Sequence, residues 1–195
     1  MAAEIKTFTS KTINFDKVEK SEIDIVDIAH ALSLTCRFNG HIKNFYSVAE
    51  HSVLASYQTE IATDYPEILL FVLLHDASEA YLNDIVRPVK HLLPDYLALE
   101  EKLQAYIELT LLIKPLGIPI EFKKIAAEAI IKYYDSLMLI AEQKKLKQYI
   151  DPYMDGHEKE ISKIMRSIKC LPPIEAEKKF ISRYKQLFNS ACRNH

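Results

Sequence analysis

The stretch Ile68–Asp84, ILLFVLLHDASEAYLND, constrains this chain more than any other. Seven apolar residues in succession, Ile68 to Leu74, run straight into His75-Asp76, with Glu79 and Asp84 following. A continuous apolar run suits a buried strand or a buried helix, and length and flanks decide between them. Asp64-Tyr65-Pro66-Glu67 reads as a helix start, a capping Asp with a proline in the first turn. The pattern continues through Ala77, Ala80 and Tyr81, which predicts about four turns of unbroken helix. A helix apolar on all sides belongs in a core. This one carries an imidazole and a carboxylate into that core, where charge is costly unless it is paired or binds metal. Glu79, four residues after His75 and three after Asp76, can face the same site.

A chain of 195 residues is large enough to bury a substantial core as one domain. Three glycines and an excess of Leu, Ile, Ala, Glu and Lys predict an all-α protein. The expected division is a polar, extended lead-in over 1–22 and a compact single-domain helical bundle over 23–195. The formal net charge of −2 gives no basic bias toward nucleic acid. Cys36, Cys170 and Cys192 are odd in number and widely spaced, so they read as reduced thiols and not as a disulfide frame or zinc knuckle. No apolar run approaches the ~18 residues of a membrane span, and the first residues lack the apolar core of a signal peptide. No membrane partner is expected, and a cytoplasmic location is.

Ile23–Leu34 has helical spacing with Asp24 as its cap, and His30 near its apolar face reads as a core histidine. Thr35–Asn44 breaks the pattern around Gly40 and carries Arg37 and Phe38. Standing alone these are a surface Arg and an anchoring Phe; their place just before the next helix makes a functional reading compete. Ser47-x-x-Glu50 matches a capping box, and Val48, His51, Leu54 and Ala55 then share a face. Ile85–Lys90 forms a turn closed by Pro88. Pro94 opens a helix over Asp95–Leu112, with Glu100, Glu101 and Lys102 on a solvated side, and Lys114–Pro119 is a connector. Glu121–Tyr149 is long and helical, with Glu128, Ile131, Asp135, Met138, Leu139 and Glu142 along one stripe, stopped by Asp151-Pro152. Gly156–Lys169 and Pro173–Phe188 read as the last helices. An Asp on a core-facing stripe, such as Asp135, needs a partner.

By itself His51 on an inward stripe is a core histidine. Joined by His75-Asp76 and Asp135 it becomes a ligand, because two imidazoles and two carboxylates suit a divalent transition metal such as Mn, Co, Fe, Ni or Zn. The ion supplies the positive charge that burial of two aspartates demands. Water bound at an open position would attack an electrophile polarised by the same ion. Glu79 is placed to orient or deprotonate that water. Asp84 is placed to protonate a leaving oxygen, or with Glu79 to hold a second ion such as Mg.

His51, His75-Asp76 and Asp135 match the H…HD…D signature of the HD-domain metal-dependent phosphohydrolases. The segments Arg37–His41, Tyr46–Ser52, Leu73–Tyr81 and Asp84–Lys90, in that order, resemble the 5′-deoxynucleotidase (YfbR-like) branch, which includes phage-type dATP and dNTP triphosphohydrolases. The resemblance covers about residues 23–190. It implies a compact helical HD fold, homo-oligomers, and hydrolysis of the phosphate ester or anhydride of a 5′-deoxynucleoside monophosphate or a deoxynucleoside triphosphate. By match, Arg37 would contact phosphate, Glu79 would be the catalytic carboxylate and Asp84 its assistant. Phe38 and Pro88 would pack the nucleoside, Lys90 would touch phosphate, and Glu142 would stand behind the ligands. Phe38 occupies a position where some relatives have Trp. HD-GYP cyclic-dinucleotide phosphodiesterases fit poorly, since Ala77-Ser78-Glu79 follows Asp76 and no Gly-Tyr-Pro occurs. The alternatives are a non-catalytic HD module that binds nucleotide and, third, a guanosine tetraphosphate hydrolase, whose HDxxED pattern this chain meets only at the Glu.

Overall fold

The structure, a computed structural model, describes residues 3–147 and 157–194. It is a compact all-α fold with one small antiparallel ribbon, β1 (Glu4–Lys6) against β2 (Thr12–Asn14). The ribbon replaces the extended lead-in: Ile13 and Val18 are buried in the main core, and the Asp27 carboxylate accepts from the hydroxyls of Thr7 and Thr9.

Local chemistry sets most helix starts. The Asp24 carboxylate accepts from the Val26 N–H at 2.8 Å and begins α1 (Ile25–Leu34). The Ser47 hydroxyl accepts from the Glu50 N–H at 3.1 Å and begins α2 (Val48–Thr59). The reverse half of that capping box is absent, because the Glu50 carboxylate accepts instead from the backbone N–H groups of Lys169, Cys170 and Leu171. Pro66 stands at the first position of α3 (Pro66–Leu73), behind Tyr65, and Asp64 does not cap it as expected. A proline there needs no capped N–H of its own.

The expected four-turn helix does not run through. α3 ends at Leu73, a turn covers 74–78, and α4 (Glu79–Leu82) resumes. Neighbouring residues of a regular helix point about 100° apart, so an unbroken helix could not aim His75 and Asp76 at one point. The backbone groups freed by the break do not go unmet, since the Gln104 side chain bonds the Leu74 carbonyl and the Ser78 N–H.

Beyond it lie α5 (Arg87–Lys90) and α6 (Pro94–Glu108), which passes through a π turn (Leu109–Ile113) into α7 (Lys114–Leu116). The helix expected to begin at Glu121 opens with a second π turn (Lys123–Ala127) before α8 (Glu128–Leu146). α9 (Glu158–Ser167) and α10 (Pro173–Asn194) follow. Asp151-Pro152 falls outside the described residues.

α3 is the hub. Ile68 to Leu74 are all buried, packed with α1, α2 and α10 in one cluster, while Val72 joins Tyr46, Ala55, Met138, Ile161 and Ile164 in a second beneath α8 and α9. Each fully buried Leu, Ile or Phe here contributes about 1.5–3 kcal/mol, so the segment that carries the candidate ligands is anchored in the main core. Among the described residues no helix is long and apolar enough to cross a membrane.

Candidate metal centre

Three structural segments bring the expected donors together. His51 comes from α2, His75 and Asp76 from the turn after α3, and Asp135 from α8. His51, His75 and Asp76 form a group that could hold a metal ion, their ligand atoms all within 4.8 Å of one another. His51 Nε2 and His75 Nε2 are 3.3 Å apart, and Asp76 Oδ2 is 3.1 Å from the latter and 3.6 Å from the former. Asp135 Oδ1 approaches the same two nitrogens at 3.5 and 3.8 Å. Donors each about 2.1 Å from a common ion stand about 3.0–3.4 Å from one another in octahedral or tetrahedral order. His51, His75 and Asp76 come close to that spacing, while Asp135 faces the two imidazoles from farther off and lies outside that three-residue group.

The far side of each imidazole fixes its orientation. His75 Nδ1 donates to the Val72 carbonyl at 2.7 Å, which leaves Nε2 to face the cluster. His51 Nδ1 lies 2.6 Å from Glu142 Oε1 and presents Nε2 inward in the same way. Such outer partners set tautomer and ligand basicity. Glu142 is fully buried and its other oxygen accepts from Arg37 Nε at 3.0 Å. Arg37 Nη1 reaches Asp76 Oδ2 at 3.4 Å. Arg37 is therefore itself buried, a fork that joins the partner of His51 to a candidate ligand. The Arg37–Gly40 turn makes this possible: Phe38, Asn39 and Gly40 all take positive φ, which folds the chain back under α8.

Electrostatics follow from this crowding. Burial alone would lower the His75 imidazole, but Asp76 and Asp135 outweigh it and hold it well above its ordinary value. His51 is raised as well, burial and Arg37 working against Glu142 and Asp135. Asp76 and Asp135 are partly buried, which by itself would raise them, yet the two imidazoles keep both below the usual carboxylate range. Anionic carboxylates facing imidazoles are the donor set a cation takes over.

Beside the cluster opens a cavity of about 780 Å³ lined by Arg37, Asp76, Glu79, Asp84, Pro88, Lys90 and Asp135, among others. Glu79 is buried; its Oε1 accepts from Lys90 Nζ at 3.2 Å, while Oε2 has no hydrogen-bond partner among the described residues. Burial first, then Asp76 and Asp84, push its carboxyl well above the ordinary range. Asp84 is raised too, chiefly by burial. Lys90 is also held by Glu100 at 2.6 Å, so Glu100 is not on a solvated side as expected.

All ten sequence-derived candidates therefore lie on the cluster or line this cavity or its walls. Four further residues sit beside them. Exposed Arg87 donates to Asp135 Oδ2 at 2.9 Å, and Lys147 lies over the Phe38 ring at 4.4 Å, with His41 and Gln143 close by. Arg87 sat inside the turn that was recognised, but nothing local ties it to a residue 48 positions on. Lys147 follows the last turn of α8 and carries no spacing signal.

No family model matches the chain. Among curated proteins, the uncharacterized protein YfdR of Escherichia coli is 42% identical over 142 residues, 73% of this chain and 71% of its own length. An uncharacterized protein of Rhodobacter capsulatus is 31% identical over 179 residues, 87% of each chain. With that extent of shared sequence, the chain belongs to the family of Escherichia coli YfdR.

Proposed function

We propose that this protein is an HD-type metal-dependent phosphohydrolase that cleaves the phosphate ester or anhydride of a deoxynucleotide. The observation that carries the reading is the convergence of His51, His75, Asp76 and Asp135 at 3.1–3.8 Å beside a cavity that also holds a buried carboxyl, Glu79. A bound Mn, Co, Fe, Ni or Zn ion would polarise the phosphoryl group and lower the pKa of an attacking water. The chain's own groups do the rest. Glu79 accepts the water proton and is held in place by Lys90. As the P–O bond breaks, the leaving oxygen takes a proton from Asp84, which lines the same cavity. Arg37 holds Asp76 and Glu142 in register from below, with its remaining edge on the cavity wall. Arg87 and Lys147, at the mouth, supply positive charge for phosphate oxygens, and Phe38 and Pro88 offer apolar surface to the nucleoside.

The test is a panel of deoxynucleoside mono-, di- and triphosphates with metal-stripped protein plus Mn(II) or Co(II). The products are resolved as phosphate, pyrophosphate or triphosphate. The proposal expects release that depends on added metal and vanishes in Asp76→Ala. Tight nucleotide binding without any product, with metal bound, would instead mark a non-catalytic nucleotide-binding module.

A further inference from the structure

In an unbroken helix the Ser78 N–H would donate to the Leu74 carbonyl, four residues back. Here the carboxamide of Gln104, from α6, stands between them. Its Oε1 accepts from the Ser78 N–H at 3.0 Å and its Nε2 donates to the Leu74 carbonyl at 2.7 Å. A side chain inserted into the helical ladder is a recognised cause of a kink. The carboxamide gives the Ser78 N–H its acceptor, and the Leu74 carbonyl takes the carboxamide as a second donor beside the Ala77 N–H at 3.0 Å. The three residues between the held ends are His75, Asp76 and Ala77. The insertion thus falls on the turn that must aim two adjacent side chains at one point.

Gln104 is itself fixed. The second hydrogen of its Nε2 goes to Glu108 Oε1 at 2.7 Å, and Lys123 Nζ donates to the same oxygen at 2.7 Å. Glu108 is buried, and Lys123 belongs to the π turn that leads into α8, the helix of Asp135 and Glu142. One chain of polar contacts, Lys123 to Glu108 to Gln104, therefore links the two backbones that supply Asp76 and Asp135.

We propose that Gln104 is a positioning residue for the candidate metal centre, holding one helical turn open so that His75 and Asp76 face the same ion. This rests on the metal reading above. Leucine or methionine at position 104 has nothing to insert, so Ser78 N–H and Leu74 carbonyl can close into an ordinary helical bond and turn Asp76 away.

The experiment titrates Mn(II) by calorimetry into metal-stripped wild type, Gln104→Leu, Gln104→Met and Asp76→Ala, with thermal melts of each metal-free form. The expected result is binding to wild type, none to Asp76→Ala, and affinity roughly 10–100-fold weaker in the Gln104 variants, the range seen when outer partners of metal ligands are lost. Their metal-free melts should stay close to wild type. Wild-type affinity in a folded Gln104 variant overturns the positioning role and leaves the metal reading standing. A metal-free melt that falls in step with affinity, or failure of both variants to fold, assigns Gln104 to stability alone and also overturns it. Wild type that takes up no Mn(II) overturns the metal reading and this proposal together.

Discussion

Glu142 Oε1 lies 2.6 Å from His51 Nδ1, although 91 residues separate them, and both side chains are fully shielded from solvent. The contact is a hinge between the site and the fold, because the other Glu142 oxygen holds Arg37. Replacing Glu142 with Ala leaves Arg37 buried beside a missing charge. Removing one member of a buried pair costs about 3–5 kcal/mol, and urea unfolding of metal-free Glu142→Ala should show that loss. Glu142→Gln keeps an acceptor for one partner and should fold better, yet bind metal roughly 10–100-fold more weakly.

A second prediction concerns pH. The unfolded imidazole titrates near 6.5, and His75 is raised well above that in the folded chain. Its contribution to stability is therefore complete below pH 6.5 and is lost as pH rises through the folded value. Glu79, raised above 4.5, acts in the same direction. Asp76 and Asp135, lowered by His51 and His75, lose their contribution only in strong acid, and Arg37 and Glu142 stay charged across the range. Metal-free protein should accordingly melt lower at pH 8.5 than at pH 6.5. Metal affinity should run the other way, rising with pH, because the ion must displace protons from the imidazoles. Calorimetry in buffers of different ionisation enthalpy should register proton release on binding.

Glu79→Gln separates binding from chemistry. Glu79 lies beside the donor cluster and not in it, so metal and nucleotide should bind as in wild type while turnover falls roughly 10²–10⁴-fold. Lys90→Met removes the cation that holds Glu79 and lowers its pKa. The acid limb of the pH–rate profile should move to higher pH in that variant. A profile unchanged by Lys90→Met would place the titrating group elsewhere.

Arg37 and Phe38 are adjacent but should fail differently. Arg37→Lys cannot keep both the Glu142 and the Asp76 contacts, so all nucleotides should be turned over more slowly, by about 1–3 kcal/mol for a charged hydrogen bond. Phe38 lies between Arg37, 5.6 Å from its ring, and Lys147, 4.4 Å from it. Phe38→Ala should reorder bases or sugars in a single substrate panel. The opposite pattern would turn the pocket round.

Local signals announced much of this architecture. Asp24 and Ser47 cap as their sequence context implies, because a cap needs only a short side chain and two or three following amides. The inward stripes that carried His51 and Asp135 were legible from helical spacing alone. What escaped the sequence was set by distant residues. The break after Leu74 depends on Gln104, 30 residues away, and the carboxylate of Glu50 left its capping box for three amides near residue 170. Glu100 looked solvated until α5 brought Lys90 over it. The π turns at Leu109–Ile113 and Lys123–Ala127 shift the helical phase without any glycine or proline inside them to mark the place.

The most direct test of the account is to strip the protein of metal, add Mn(II) in steps, and follow the bound ion and nucleotide hydrolysis in the same samples. Stripped protein should be inactive, and activity should rise in proportion to bound Mn(II). Asp76→Ala should show neither bound ion nor activity. Hydrolysis that persists undiminished after the ion is removed, or that Asp76→Ala retains in full, would contradict it.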